Sequence, residues 1–91
     1  TLERAVYRMT HEVAEAWGIQ DRGLLKEGMA ADVVIFDPAT IDRGEEVFVH
    51  DVPGDANRYV RHPEGVDTVL VNGAIAHSNG AYTGAAVGQI V

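Results

Sequence analysis

At 91 residues the chain suffices for one small domain, and a chain this short buries only a modest fraction of its surface unaided. Seven basic against 14 acidic residues leave a formal charge of −7, spread along the chain, which argues against nucleic acid or an anionic membrane as partner. With no cysteine, disulfides and thiolate metal sites are excluded. The longest apolar run, Val33 to Phe36, is far short of the about 20 residues that cross a bilayer. The start, Thr1-Leu2-Glu3-Arg4, lacks the apolar core of a signal peptide, and the cytoplasm is the expected compartment. The chain has no initiator Met and opens on a helical pattern, which predicts a piece of something longer.

Leu2, Ala5, Val6, Met9, Val13, Ala16 and Trp17 recur at helical spacing, with Glu3, Arg4, Arg8, Glu12 and Glu15 mostly off that face. Thr1 is placed to cap the first turn and Glu3 to favour it. Thr10 before His11-Glu12 predicts a cap for a second, shorter helix, and Gly18-Ile19 predicts the C-terminal stop. Gln20 to Gly23 reads as a connector and Lys26-Glu27-Gly28 as a turn. The continuous apolar run Val33 to Phe36 predicts a strand buried on both faces. Pro38 to Gly44 is turn-rich. Val47-Phe48-Val49 reads as a short edge strand broken by Asp51-Val52-Pro53-Gly54-Asp55, with a surface loop onward to Gly65. Val66 to Val71, Asn72-Gly73 and Ala74 to His77 predict a hairpin on a type I′ turn. Ser78-Asn79-Gly80 ends it, and Ala81 to Val91 is expected to be extended or loosely ordered.

Few residues here suggest chemistry. His11, His50, His62 and His77 are separated by 39, 12 and 15 residues, which matches no zinc spacing, so they read as solvated. Ser78, the only serine, lies outside a Gly-x-Ser-x-Gly elbow. Asp32 and Asp37 bracket the apolar strand, but five residues of extended chain separate them by roughly 16 Å, too far for paired-carboxylate catalysis. They read instead as backbone-satisfying residues at the strand start and in the Asp-Pro turn. Gly80 to Gly88 lacks the Gly-Lys-Ser/Thr ending of a phosphate loop. Arg58-Tyr59-Val60-Arg61, a possible basic-aromatic contact, has acidic neighbours and reads as a solvated loop. No catalytic, cofactor-binding or metal-binding residue is assigned on these 91 positions.

The order of motifs resembles the C-terminal part of the amidohydrolase superfamily. Thr1-Leu2-Glu3-Arg4-Ala5-Val6, Thr10 and Ala14-Glu15-Ala16-Trp17-Gly18-Ile19 resemble the last barrel helix. Arg22-Gly23-Leu24-Leu25-Lys26-Glu27-Gly28-Met29-Ala30-Ala31-Asp32-Val33-Val34-Ile35-Phe36-Asp37-Pro38 resembles the crossing into a small β-domain. Pro63-Glu64-Gly65-Val66 and Val69-Leu70-Val71-Asn72-Gly73 are similar to the closing hairpin of the N-acyl-D-amino-acid deacylase (D-aminoacylase) branch. So is the ending Gly88-Gln89-Ile90-Val91, with Gln89 where a basic residue is usual; Val13 replaces a common proline.

The resemblance implies an α+β fragment: residues 1–23 as the terminal barrel helix or helix pair, and residues 24–91 as a sheet or sandwich piece of a composite β-domain. It further implies a (β/α)₈ parent holding a divalent metal, zinc by expectation, that hydrolyses non-peptide amide bonds, with its active site outside this chain. The expected partner is the N-terminal part of the same protein, whose strands would pair with those after Asp32. Without them an apolar strand edge is unmet, which predicts self-association. A hydantoinase- or dihydroorotase-like cyclic amidohydrolase and a non-catalytic β-domain that mediates assembly are the alternative readings.

Overall fold

The computed structural model describes all 91 residues. Two short helices, α1 (Leu2–Met9) and α2 (His11–Trp17), are followed by a linker and six strands. The strands are β1 (Val33–Phe36), β2 (Asp42–Val52), β3 (Ala56–Glu64), β4 (Val66–Val71), β5 (Ala74–Ser78) and β6 (Ala81–Tyr82). They form an antiparallel four-stranded sheet in the order β1-β4-β5-β6 and a separate hairpin, β2-β3. The architecture is thus α+β and open.

The helices start and stop as their ends dictate. The Thr1 hydroxyl accepts from Arg4 N–H at 3.2 Å, and Gly18 takes φ 70°. Ile19 N–H then donates to Ala14 O at 2.8 Å and Gly18 N–H to Glu15 O at 3.2 Å, the paired bonds of a Schellman stop. Thr10 does separate the two helices, but its hydroxyl caps nothing below it. It donates to Val6 O at 2.7 Å, back-bonding into α1 as threonine does inside a helix.

Tertiary burial is sparse. Only three of 91 residues are buried, Ala14, Gly44 and Ala76, so the periodic face of the helices has no cover. Met9 and Trp17 on that face are 71% and 81% exposed. Strand β1 forms where the apolar run predicts it, yet Val34 and Ile35 are about half exposed. It is not buried on both faces, because no helix or second sheet packs appreciably on either face of β1. The chain exposes 7294 Å², against about 5,200 Å² for a compact monomer of its mass. Its radius of gyration is 15.3 Å, against about 12 Å for a compact domain of this length.

The segment from Val47 to Gly65 differs most from the expectation of a short strand and a loop. Asp51 to Asp55 does not end the strand but turns it, with Gly54 and Asp55 at φ 79° and 56°. The reversal sets Phe48 opposite Tyr59 and Glu46 opposite Arg61. Gly44 is required at the hairpin base, since a Cβ there would collide with the His62 carbonyl. No strand of this hairpin packs appreciably on the other sheet, so the two sheets form no sandwich. The Asn72-Gly73 hairpin is as predicted, with φ 47° and 81° at the turn. A second such turn at Asn79-Gly80 (φ 50° and 80°) adds β6, so the first residues of the tail are a strand.

Candidate functional site

The densest polar cluster lies where the helices, the linker and the β4–β5 turn meet. It is organised by Arg22, whose side chain is 17% exposed. The Schellman stop turns the chain away from α2. Gly23, at φ 90°, then lets the linker approach α2 so closely that a Cβ would lie 3.0 Å from that of Ala14. From there the guanidinium donates Nε to Asp32 Oδ2 at 2.7 Å, Nη1 to Asp21 Oδ1 at 2.8 Å and Nη2 to Asn72 Oδ1 at 3.2 Å. Asp32 Oδ1 accepts Asn72 N–H at 2.8 Å. The Asn72 amide in turn donates Nδ2 to Val87 O at 2.7 Å. Backbone bonds from Gly73 to Ala31 and from Ala30 to Asp21 close the cluster.

The electrostatics of this cluster favour a clamp over a catalytic acid or base. The Asn72 N–H, and after it Arg22, hold the Asp32 carboxyl below the usual carboxylate range, against some desolvation. Asp32 raises Arg22 further. Both carboxylate oxygens are engaged, and a general base at neutral pH needs a pKa moved the other way. Asp37 is likewise committed: Oδ1 accepts Ala39 N–H at 2.9 Å, and its carbonyl accepts from Thr40 and Ile41. The backbone-satisfying reading of both aspartates matches this geometry.

The other candidate residues are scattered. His11 lies on α2 edge-on to Tyr7, beside an open groove of about 340 Å³ that Glu15, Leu24 and Met29 also line. His50 stands in β2, 5.2 Å from the Phe48 ring. His62 lies in β3, and His77 in β5 is 5.4 Å from the Tyr82 ring. No three His, Asp or Glu side chains gather to hold a metal ion, so these residues do not fit the divalent metal that the resemblance implies. Ser78 ends β5 opposite Ala81. Arg58 and Arg61 form no free basic patch. Arg58 forks onto Asp51 at 2.7 and 2.6 Å, and Arg61 meets Glu46 at 3.0 Å. Gly80 belongs to the β5–β6 turn, and Gly84 and Gly88 lie in an extended tail beyond β6. No helix is long and apolar enough to cross a membrane.

Arg22 and Asn72 are the residues that sequence reasoning passed over. One reads as part of a connector and the other as turn chemistry alone. The available signal is an arginine just past a glycine helix stop, an aspartate before an apolar strand, and an Asn-Gly turn whose amide needs partners.

Comparison with known proteins now adds to this geometry. The amidohydrolase family matches residues 1–77. D-aminoacylase of Alcaligenes xylosoxydans xylosoxydans is 37% identical over 90 residues, covering 99% of this chain and 17% of that protein. N-acyl-D-glutamate deacylase of the same organism is 43% identical over 74 residues, covering 80% of this chain and 13% of that protein. An uncharacterised Mycobacterium tuberculosis protein is 35% identical over 88 residues, covering 92% of this chain and 14% of that protein. No solved structure matches. The chain thus spans less than a fifth of the length of these relatives. It belongs to the amidohydrolase family.

Proposed function

We propose that these residues are the C-terminal portion of a metal-dependent amidohydrolase acting on N-acyl-D-amino acids or closely related amides, and that the 91-residue chain is itself inactive. The observation that carries this reading is the 37% identity to D-aminoacylase across 99% of the chain, at only 17% of that protein's length. Two structural features support it. The surface in excess of a compact monomer, roughly 2,000 Å² by the size scaling, includes the helical face of Met9, Val13 and Trp17 and the apolar strand β1. The remainder of such an enzyme would cover those faces. The carboxylates that bracket β1 are spent on backbone and arginine contacts, which suits a junction between two structural units rather than a reaction centre.

The test compares the 91-residue protein with the product of the complete parent reading frame. Release of free amino acid from N-acetyl-D-amino acids and their L-enantiomers is measured with and without added zinc and a chelator. The parent is expected to hydrolyse the D-substrates in a chelator-sensitive way, and the short chain to hydrolyse none. Turnover by the short chain, or a parent whose hydrolysis of the D-substrates is unaffected by the chelator, would overturn the proposal.

A further inference from the structure

Asn72-Gly73 and Asn79-Gly80 are the same dipeptide in the same turn, with φ of 47° and 81° in one and 50° and 80° in the other. Asparagine before glycine carries chemistry of its own. The glycine nitrogen has no adjoining side chain to shield it and can attack the asparagine Cγ, one reason asparagine counts among the thermolabile residues. What differs between the two turns is whether the reacting groups are free.

At Asn72 both are held. Gly73 N–H donates to Ala31 O at 3.0 Å, and the half-buried Asn72 amide is bonded to Arg22 Nη2 at 3.2 Å and Val87 O at 2.7 Å. At Asn79 the one backbone bond leaving the turn is Asn79 N–H to Asp67 O at 2.8 Å. The Gly80 N–H and the Asn79 side-chain amide have no partner in the chain, and both residues are exposed. A Cβ added to Gly80 would meet no atom within 4 Å. The cost of rearrangement differs as well. Attack requires Asn79 to leave its turn conformation, and behind it only Ser78–Ala81 and His77–Tyr82 pair, on a two-residue strand at the sheet's edge. Thr83 keeps its bonds to Ile75 and Ala76 beyond that ladder, so the opening is local, and short peripheral ladders open at low free energy. The Asn72 turn closes a four-pair ladder in the middle of the sheet.

We propose that Asn79 is a self-modifying site, converting to aspartate and isoaspartate without an enzyme, while the clamp protects Asn72 from the same reaction. The deprotonated Gly80 nitrogen forms a bond to Asn79 Cγ, and the Cγ–Nδ2 bond breaks. The amide nitrogen leaves as ammonia and takes up the proton that Gly80 lost. Water then opens the cyclic imide at either carbonyl, giving aspartate by one route and isoaspartate by the other. The sum is asparagine and water to a carboxylic acid and ammonia, with nothing oxidised or reduced. Either product adds a negative charge, and isoaspartate also lengthens the turn by one backbone atom, which releases β6 from β5.

The last basic residue is Arg61, so trypsin releases both turns in one peptide, residues 62–91, and fragmentation in the mass spectrometer quantifies each site. The 91-residue protein is incubated in mildly alkaline buffer, once folded and once in guanidinium chloride, and sampled over time. In the folded protein Asn79 should convert at least about tenfold faster than Asn72, because three hydrogen bonds must break before Asn72 reacts. In guanidinium the two rates should become comparable, which separates the effect of the fold from that of neighbouring residues. Asn79→Gly, which suits the turn equally well, should abolish ammonia release from the folded protein. Equal rates at the two sites when folded, an unchanged ratio in guanidinium, or undiminished ammonia release from Asn79→Gly would each overturn the proposal. None of these readouts depends on what the parent enzyme hydrolyses.

Discussion

The β4–β5 hairpin closes on the two-residue Asn72-Gly73 turn, and that turn is gripped by three other segments: Arg22 and Ala31–Asp32 from the linker, and Val87 from the tail. The β2–β3 hairpin is longer, turns through Pro53-Gly54-Asp55, and holds itself by its own pairs, Arg58–Asp51 and Arg61–Glu46. Both are antiparallel hairpins in one small chain. In the first the stabilising groups are far apart in sequence, as far as Arg22 from Asn72. In the second they lie within 15 residues of each other. A hairpin held from outside fixes the position of its neighbours, whereas one held from inside leaves its faces open for something else.

Substitution at the joint between the two should be the most damaging. Gly65 sits between β3 and β4 at φ 73°, and a Cβ there would lie 2.5 Å from Ile41 N and 2.6 Å from Ile41 Cα and Thr40 C. Its carbonyl also accepts Asp37 N–H at 2.9 Å. Gly65→Ala combines an unfavourable positive φ with a backbone collision, for an expected loss of about 3 kcal/mol in urea unfolding. Gly44→Ala collides with the His62 carbonyl instead and should disturb only β2 and β3. If amide shifts in β4 and β5 moved equally in both variants, the two hairpins would not be separate units.

The clamp comes next. Asp32→Ala removes the acceptor for both Arg22 Nε and Asn72 N–H, and hydrogen bonds to a charged group are worth about 1.5–3 kcal/mol when well shielded. Asp32 is 34% exposed, so about 1–2 kcal/mol is expected. The loss should appear in urea unfolding of the four-stranded sheet and leave the β2–β3 ladder intact.

Acid should separate the hairpins less sharply. Asp32 and Asp51 both have carboxyls held below their ordinary range, the first by Asn72 N–H and Arg22, the second by Arg58. A depressed carboxylate stabilises the fold above its unfolded pKa, about 3.9, and the contribution disappears as pH falls through the still lower folded value. Below about pH 4 both hairpins should weaken. Asp32→Asn should flatten the acid limb for the sheet, and Asp51→Asn for the β2–β3 hairpin alone. Amide shifts recorded from pH 6 down to about 2 assign each limb to its hairpin. A limb that vanished from both in either variant would contradict the separation.

The same contrast explains what the sequence revealed. The helices, β1 and the Asn72-Gly73 hairpin were legible because each rests on a local signal: a cap, an apolar run, a two-residue turn. The β2–β3 hairpin was not. Pro53-Gly54-Asp55 reads as a strand breaker until Gly54 and Asp55 are seen at positive φ, and Pro63 argues against a strand unless its edge faces outward. The predicted burial of Val33 to Phe36 failed for another reason. A continuous apolar run reports what a strand is suited to lie against, and within these 91 residues no element packs appreciably on either face of β1. At the site, the aspartates were readable as structural because Asx chemistry is local. Their partner Arg22 was not, because its contact with Asn72 spans 50 residues.

The finest probe of the clamp is Asn72 itself, because turn and clamp make different demands on it. The turn asks only for φ near 47° followed by glycine, which glycine meets as well as asparagine. The clamp asks for the amide, which accepts from Arg22 and donates to Val87 O. Asn72→Gly should therefore keep the β4–β5 register while releasing the tail. A net loss of about 1 kcal/mol is expected, since water replaces part of two exposed hydrogen bonds. Backbone 15N relaxation reads the outcome directly. Order at Leu70 and Ile75, paired across the hairpin, should persist, while residues beyond Thr83 become more mobile. Thr83 keeps its own bonds to the Ile75 and Ala76 carbonyls and marks where release should stop. Unchanged relaxation beyond Thr83 would mean the tail is held elsewhere, and the external grip on this hairpin would then reduce to Arg22 and the linker.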